Sequence, residues 1–351
     1  MEEKKSREMM TIDPHVLRSK RKCKLRQEIH VSLVNSLPSE ITIEILSRLP
    51  TDSILQCRLV CKTWRKILLH PSFAHVHLQQ FPHLHGSSYP CRSSVIGAKV
   101  GVGFLFGFSF SPHHFSELYC GEFDDTPKKK LKWINQPPIK LHSMVSSCNG
   151  LICFSDFVRG HYVPEPSYIS NPITGEYVTL PKLEITSENK IDSMVCGFGY
   201  HSSINRYKIV KIYYIQNQPL GRVQVYTLGC GNSGWRDVGE TAYSLQHSKL
   251  CWKGDRCPFG VLANGALHWL DMEQKIASFD LVEEKLYLLP SPDFVYAAAF
   301  TKLLDENCYG ATPHVNSFVS LKALGERCRS RKRYKANPSP RTIFIKQQTN
   351  A

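Results

Sequence analysis

The chain has 351 residues, 42% of them hydrophobic, which is enough for one small module and one larger domain. No run is long and apolar enough to span a bilayer, and Met1-Glu2-Glu3-Lys4-Lys5 lacks the apolar stretch of a secretory signal, so nucleus or cytoplasm is the expected location. The 13 cysteines are odd in number and form no C-x-x-C pair, which speaks against a disulfide framework or a structural zinc site and suits reduced thiols, several of them beside apolar residues (Cys57, Cys61, Cys153, Cys196).

The net charge of +14 is unevenly placed. Residues 1–34 read as a basic tail with Arg18, Lys20, Arg21, Lys22, Lys24 and Arg26, and a second cluster holds Lys322, Arg327, Arg329, Arg331, Lys332, Arg333 and Lys335. Solvated tails are the first expectation for both, nuclear import the second and nucleic-acid contact the third, since no helix-turn-helix, zinc-finger or RNA-binding signature accompanies them.

Residues 35–80 carry helical periodicity. Pro38 suits the first helical position, where its missing N–H costs nothing, and Glu40 falls where the helix dipole favours negative charge. Ile41, Ile43, Ile45, Leu46 and Leu49 then cover an apolar arc of about 200°, wider than one core contact needs. Pro50 ends that helix. A second, capped by Thr51 or Asp52, carries Ile54, Leu55, Leu59 and Val60; a third carries Trp64, Ile67 and Leu68 before Pro71 stops it. Three helices this short cannot make a stable core alone, so the apolar excess covers either the rest of the chain or a partner.

The ordered set Leu37-Pro38-Ser39-Glu40-Ile41, Arg48-Leu49-Pro50, Val60-Cys61-Lys62-Thr63-Trp64 and Pro71-Ser72-Phe73 resembles an F-box. The resemblance implies docking onto a Skp-type adaptor and, through it, a cullin-RING ubiquitin ligase. By that resemblance Leu37, Pro38, Ile45, Leu49, Pro50, Leu55, Val60 and Trp64 face or support the adaptor.

From residue 91 to residue 296 short strands replace helices. Asn149-Gly150-Leu151-Ile152-Cys153-Phe154 reappears as Asn264-Gly265-Ala266-Leu267-His268-Trp269, and each copy continues into a second strand pair closed by Leu-Pro. Asn-Gly supplies the positive φ of tight hairpins, and proline ends a ladder for want of an N–H. A third unit, Gly197-Phe198-Gly199-Tyr200 through Val223-Gln224-Val225-Tyr226, lies between them. One such unit cannot bury both faces, whereas stacked units can, as in propellers. With Ser146, Asn171, Pro172, Thr174 and Gly175 in matching places, this region is similar to the kelch-like F-box-associated interaction domain of plant F-box proteins. The expected fold is thus α+β and multidomain: a short three-helix module, then a mostly antiparallel, propeller-like β domain.

Residues 297–351 show no strand repeat and read as a divergent basic segment, either a closing element or a partly disordered tail that leaves the β domain incomplete. An incomplete domain would expose strand edges.

No catalytic constellation stands out. His75 and His77 flank the end of the helical module, His113 and His114 sit in a Ser-Pro-rich loop, and loop or edge roles are expected of the histidines. Gly101-Val102-Gly103 lacks the third glycine and acidic partner of a nucleotide loop, while Phe104, Phe106, Phe108 and Phe110 read as a strand with one aromatic face. No cofactor, metal or membrane is expected. The leading expectation is a non-catalytic substrate receptor whose β domain binds a target protein. The alternatives are a basic nuclear regulator that binds nucleic acid, and an adaptor-binding protein whose shortened β domain captures no target. Candidate target loops are Val158 to His161, Gln216 to Gly221 and His247 to Arg256, with Trp252 and Arg256 as contact residues, although a core role for Trp252 is the commoner one.

Overall fold

The computed structural model describes residues 37–80, 102–108, 117–121, 128–133, 143–157, 163–184, 190–230, 234–245, 259–271, 273, 275–289, 308–330 and 342–346. The chain divides after Leu68 into a helical unit and a β body.

Four helices follow in the first segment: α1 (Ser39–Ser47), α2 (Thr51–Cys57), α3 (Lys62–Leu69) and α4 (Pro71–Gln79). Pro38 is the residue before the first helical position rather than that position itself; its carbonyl accepts from the N–H and the hydroxyl of Thr42, both at 3.1 Å. Likewise Pro50, not Thr51 or Asp52, precedes α2, and no side chain caps that helix. Proline fits both places because its fixed φ, here −51° and −57°, leads into the helix. The fourth helix corrects the three-helix expectation. Pro71 stops α3 but also opens α4 at its first turn, where His70 Nδ1 accepts from Ser72 N at 3.3 Å.

The β body contains four antiparallel sheets among the described residues. The first holds β1 (Val102–Phe108), β2 (Glu117–Gly121) and β3 (Lys128–Trp133); the second holds β4 (Ser143–Cys148), β5 (Leu151–Phe157), β6 (Pro164–Asn171) and β7 (Glu176–Thr179). The third is β8 (Ile191–His201), β9 (Arg206–Ile215), β10 (Gly221–Thr227) and β11 (Arg236–Thr241). The fourth is β12 (Val261–Ala263), β13 (Ala266–Leu270), β14 (Ile276–Asp280) and β15 (Leu286–Leu289).

Both repeat copies fold as the sequence implies. Asn149 and Asn264 adopt φ of 49° and 48°, with Gly150 and Gly265 behind them, so Cys148 pairs Leu151 and Ala263 pairs Ala266 across two-residue turns. The second turn of each copy is also shared. Asn171 Oδ1 accepts from Ile173 N (2.8 Å) and Thr174 N (3.4 Å), and Asp280 Oδ1 accepts from Val282 N (2.7 Å) and Glu283 N (2.8 Å).

The C-terminal segment supplies three further strands. β16 (Cys308–Val315) pairs with β1, β17 (Arg329–Ser330) with β7, and β18 (Thr342–Lys346) with β3. Residues 308–315 and 329–330 therefore add strands to the first and second sheets. Within the first sheet β16 has β1 as its one neighbour, so Pro313 forfeits no ladder bond on the other side. The strands β16, β4, β8 and β12 lie in sequence beside one another, the radial order of a propeller.

Between the third and fourth sheets a core of Val195, Ile212, Val225, Leu267, Trp269 and Phe279 excludes water. Trp269 Nε1 and Gly260 N both donate to the Cys196 carbonyl, at 3.2 and 2.7 Å, which locks β8 to the start of β12. β9 is covered on both faces, and its Lys211 is buried against Glu165 of β6 at 3.1 Å with the Trp235 ring 4.1 Å from its ammonium. Burial pulls the Lys211 pKa down, and the Glu165 carboxylate opposes it.

Candidate functional site

On α1 the polar–apolar pattern is inverted on one side. Thr42, Leu46 and Ser47 are buried, while Ile41 and Ile45 are 49% and 51% exposed. Ile41 and Ile45 lie one turn apart on the same face of α1, with Leu37 exposed just before the helix and Leu49 half-buried just after it. Glu44 and Arg48 pair beside that face at i, i+4. Past α2, whose Ile54 is buried, the turn presents Leu59 and Val60 at 80% and 63% exposure. Single exposed leucines need no explanation; five large aliphatic side chains bared on one small unit do.

Of the residues expected to serve the adaptor, Leu37, Pro38, Ile45, Pro50 and Val60 are exposed, and Leu49, Leu55 and Trp64 are half-buried. Trp64 N donates to Cys61 Sγ at 3.4 Å, so the half-buried thiol caps α3. Ile41 and Leu59, counted in the sequence among the apolar residues of the first two helices but not among those facing the adaptor, are exposed as well. Ile41 lies one turn from Ile45 on the same face, and that spacing was the signal available.

In the β body, Ser147 of β4 meets His314 of β16, and Cys148 meets Tyr200 of β8, so these inner strands run the same way. The turns β4–β5, β6–β7, β8–β9 and β12–β13 therefore share one end, and the β9–β10 turn, one of the candidate target loops, lies at the other. Gln216–Leu220 are exposed there; Val158 to Gly160, His161, Trp252 and Arg256 lie outside the described residues.

One linked set of chemical groups escaped the sequence. Ser147 Oγ lies 2.7 Å from His314 Nδ1, and His314 Nε2 lies 3.2 Å from Asn316 Oδ1. Burial pushes the His314 pKa down to about 4, against the Asn316 bond, and only 2% of the residue is exposed. A general base works best poised near the operating pH, so this ring is a poor one; it ties β16 to β4. His77, expected at a loop or edge, is instead a buried helical residue. No group of three His, Cys, Asp or Glu among the described residues is placed to hold a metal ion, and no helix among them is long and apolar enough to cross a membrane.

Two family models match the chain: an F-box-like model over residues 34–79 and an F-box associated beta propeller domain over residues 103–305. Among curated proteins of Arabidopsis thaliana it is similar to F-box protein At3g07870, 28% identical over 287 residues that cover 74% of this chain and 61% of that one. It is also similar to putative F-box protein At1g53550, 31% identical over 265 residues covering 71% and 57% of the two chains. The chain thus spans about 60% of the length of these relatives. With the propeller-domain model matched over more than half of its length, behind a helical unit that matches the F-box-like model, the chain belongs to the plant F-box proteins that carry an F-box associated β-propeller domain.

Proposed function

We propose that this protein is a non-catalytic substrate receptor of an SCF-type ubiquitin ligase. Its helical unit docks onto a Skp-type adaptor, and its β body holds a target protein through the loops at the β9–β10 end. The single observation that carries the reading is the exposure of five large aliphatic side chains, Leu37, Ile41, Ile45, Leu59 and Val60, on the unit that matches the F-box-like model. Each aliphatic anchor buried there would contribute about 1.5–3 kcal/mol, and an interface of about 1,200–2,000 Å² would hold the pair together. Ubiquitin transfer belongs to the partner subunits. The receptor contributes by keeping the target at high effective concentration near the loaded enzyme. Its place of action on this reading is the nucleus or the cytoplasm.

The test is reconstitution. The full chain is co-expressed with a plant Skp-type adaptor and a cullin and passed over a sizing column. Co-elution of all three supports the reading; a folded receptor that elutes alone removes it.

A further inference from the structure

The F-box-like model runs to residue 79, yet the structural division falls after Leu68, which leaves α4 with the β body. Buried aromatic contacts hold it there. Phe73, Ala74, His77 and Leu78 are buried, and the Phe73 and His77 rings sit 6.2 and 5.5 Å from the ring of Phe318. Phe318 belongs to residues 316–330, the stretch that follows β16.

That stretch is fastened to the second and third sheets at several points. Asn171 Nδ2 donates to the carbonyls of Ser317 (3.1 Å) and Val319 (2.7 Å), and Ser317 Oγ donates to the Asn149 carbonyl at 2.6 Å. Ser320 Oγ donates to Glu176 at 3.0 Å. The Glu326 carboxylate accepts from Gly229 N at 2.8 Å and from the Tyr226 hydroxyl at 3.2 Å. The backbone on both sides of Phe318 is thus pinned by buried bonds from a neighbouring sheet, and the ring it presents has little freedom to move.

We infer that residues 316–330 are a strap that fixes α4 to the β body, and that Phe318 is the positioning residue through which the last helix of the F-box region is held. The inference rests on the receptor reading for its consequence. A receptor works by restricting where a bound target can be, so an α4 that rocks on the β body enlarges the volume the target samples and slows transfer without weakening adaptor docking. The strap comes from sequence some 240 residues beyond α4, so this coupling makes the C-terminal segment part of the ligase geometry.

The experiment compares the full-length wild type with Phe318→Ala and, as a milder change that keeps an apolar side chain, Phe318→Leu. Amide exchange in Pro71–Gln79 is expected to rise at least about tenfold in Phe318→Ala, less in Phe318→Leu, while β9 amides keep wild-type protection. In the reconstituted ligase, ubiquitin transfer to the receptor's own lysines is expected to slow several-fold with adaptor affinity unchanged, and Phe318→Leu should restore most of it. Unchanged exchange in α4, or faster exchange in α4 and β9 alike, would overturn the strap. Freed α4 with undiminished transfer would overturn the positioning role. Failure of the wild type to bind the adaptor would instead overturn the receptor reading and leave the exchange result to decide the strap.

Discussion

Asn171 spends its whole side chain on two segments of the chain: its carbonyl oxygen closes the β6–β7 turn onto Ile173 and Thr174, and its amide group reaches 146 residues ahead to the Ser317 carbonyl. The same amide bonds Val319 at 2.7 Å, and the side chain is fully buried. No other residue type of that length offers an acceptor and two donors at once, since aspartate lacks the donors and leucine has neither.

Asn171→Asp should therefore keep the turn and lose the two bonds to the strap. Two buried carbonyls would be left unpaired beside a carboxylate, a cost of about 2–4 kcal/mol. Urea unfolding monitored by tryptophan fluorescence checks this, and an unchanged midpoint would count against the role given to Asn171.

Gly150 offers a steric test of the same contact. Its φ is +80°, and a Cβ built on it would fall 2.1 Å from Ser317 Oγ and 2.7 Å from Ser317 N. Gly234 has a similar φ of +62° with nothing within 4 Å. Gly150→Ala should thus cost about 2–4 kcal/mol, backbone strain plus displacement of the strap, whereas Gly234→Ala should cost about 1–2 kcal/mol of backbone strain alone. Paired thermal melts of the two variants read the difference.

His314 makes the β body sensitive to acid. Its ring titrates near 6.5 when unfolded and about 4 when buried, so between those values the unfolded chain binds the extra proton. Stability is then fully present above about pH 6.5 and falls as the pH drops toward 4, by on the order of 3 kcal/mol from this one group. His314→Gln, which keeps hydrogen-bonding capacity but no titration, should flatten that part of the pH–stability curve in denaturant titrations.

How much of this could be read in advance depended on the range of the interactions. The Ile41 and Ile45 face of α1 and the Asn149-Gly150 and Asn264-Gly265 hairpins were legible, because a period of 3.6 and a need for positive φ are written in neighbouring residues. Glu284, with φ of 56° where the first copy has Gly175, shows that the repeat persists in backbone shape even where the residue type does not. The segment after residue 308 was not legible. Gly310 and Pro313 break a strand pattern in the sequence of β16, and Ser147, Asn149 and Asn171, the partners of His314 and Ser317, lie about 150 residues back, so no local pattern announces it. Proline was ambiguous for the same local reason: Pro71 ends one helix and begins the next. The motif residues Asn149, Gly150 and Asn171 looked like turn formers alone, because the partner in their second task, Ser317 of the strap, lies about 150 residues further on.

The bared side of α1 is the proposed adaptor face. A calorimetric titration decides it: a plant Skp-type adaptor is titrated into the full chain, the Ile45→Asp variant and a Thr179→Asp control on the exposed end of β7. Because Ile45 is half exposed, Ile45→Asp should leave the thermal midpoint nearly unchanged, within about 0.5 kcal/mol of stability, yet weaken binding by at least about tenfold, while the control binds as the wild type does. Equal affinities for all three proteins, or no binding by a folded wild type, would rule this face out.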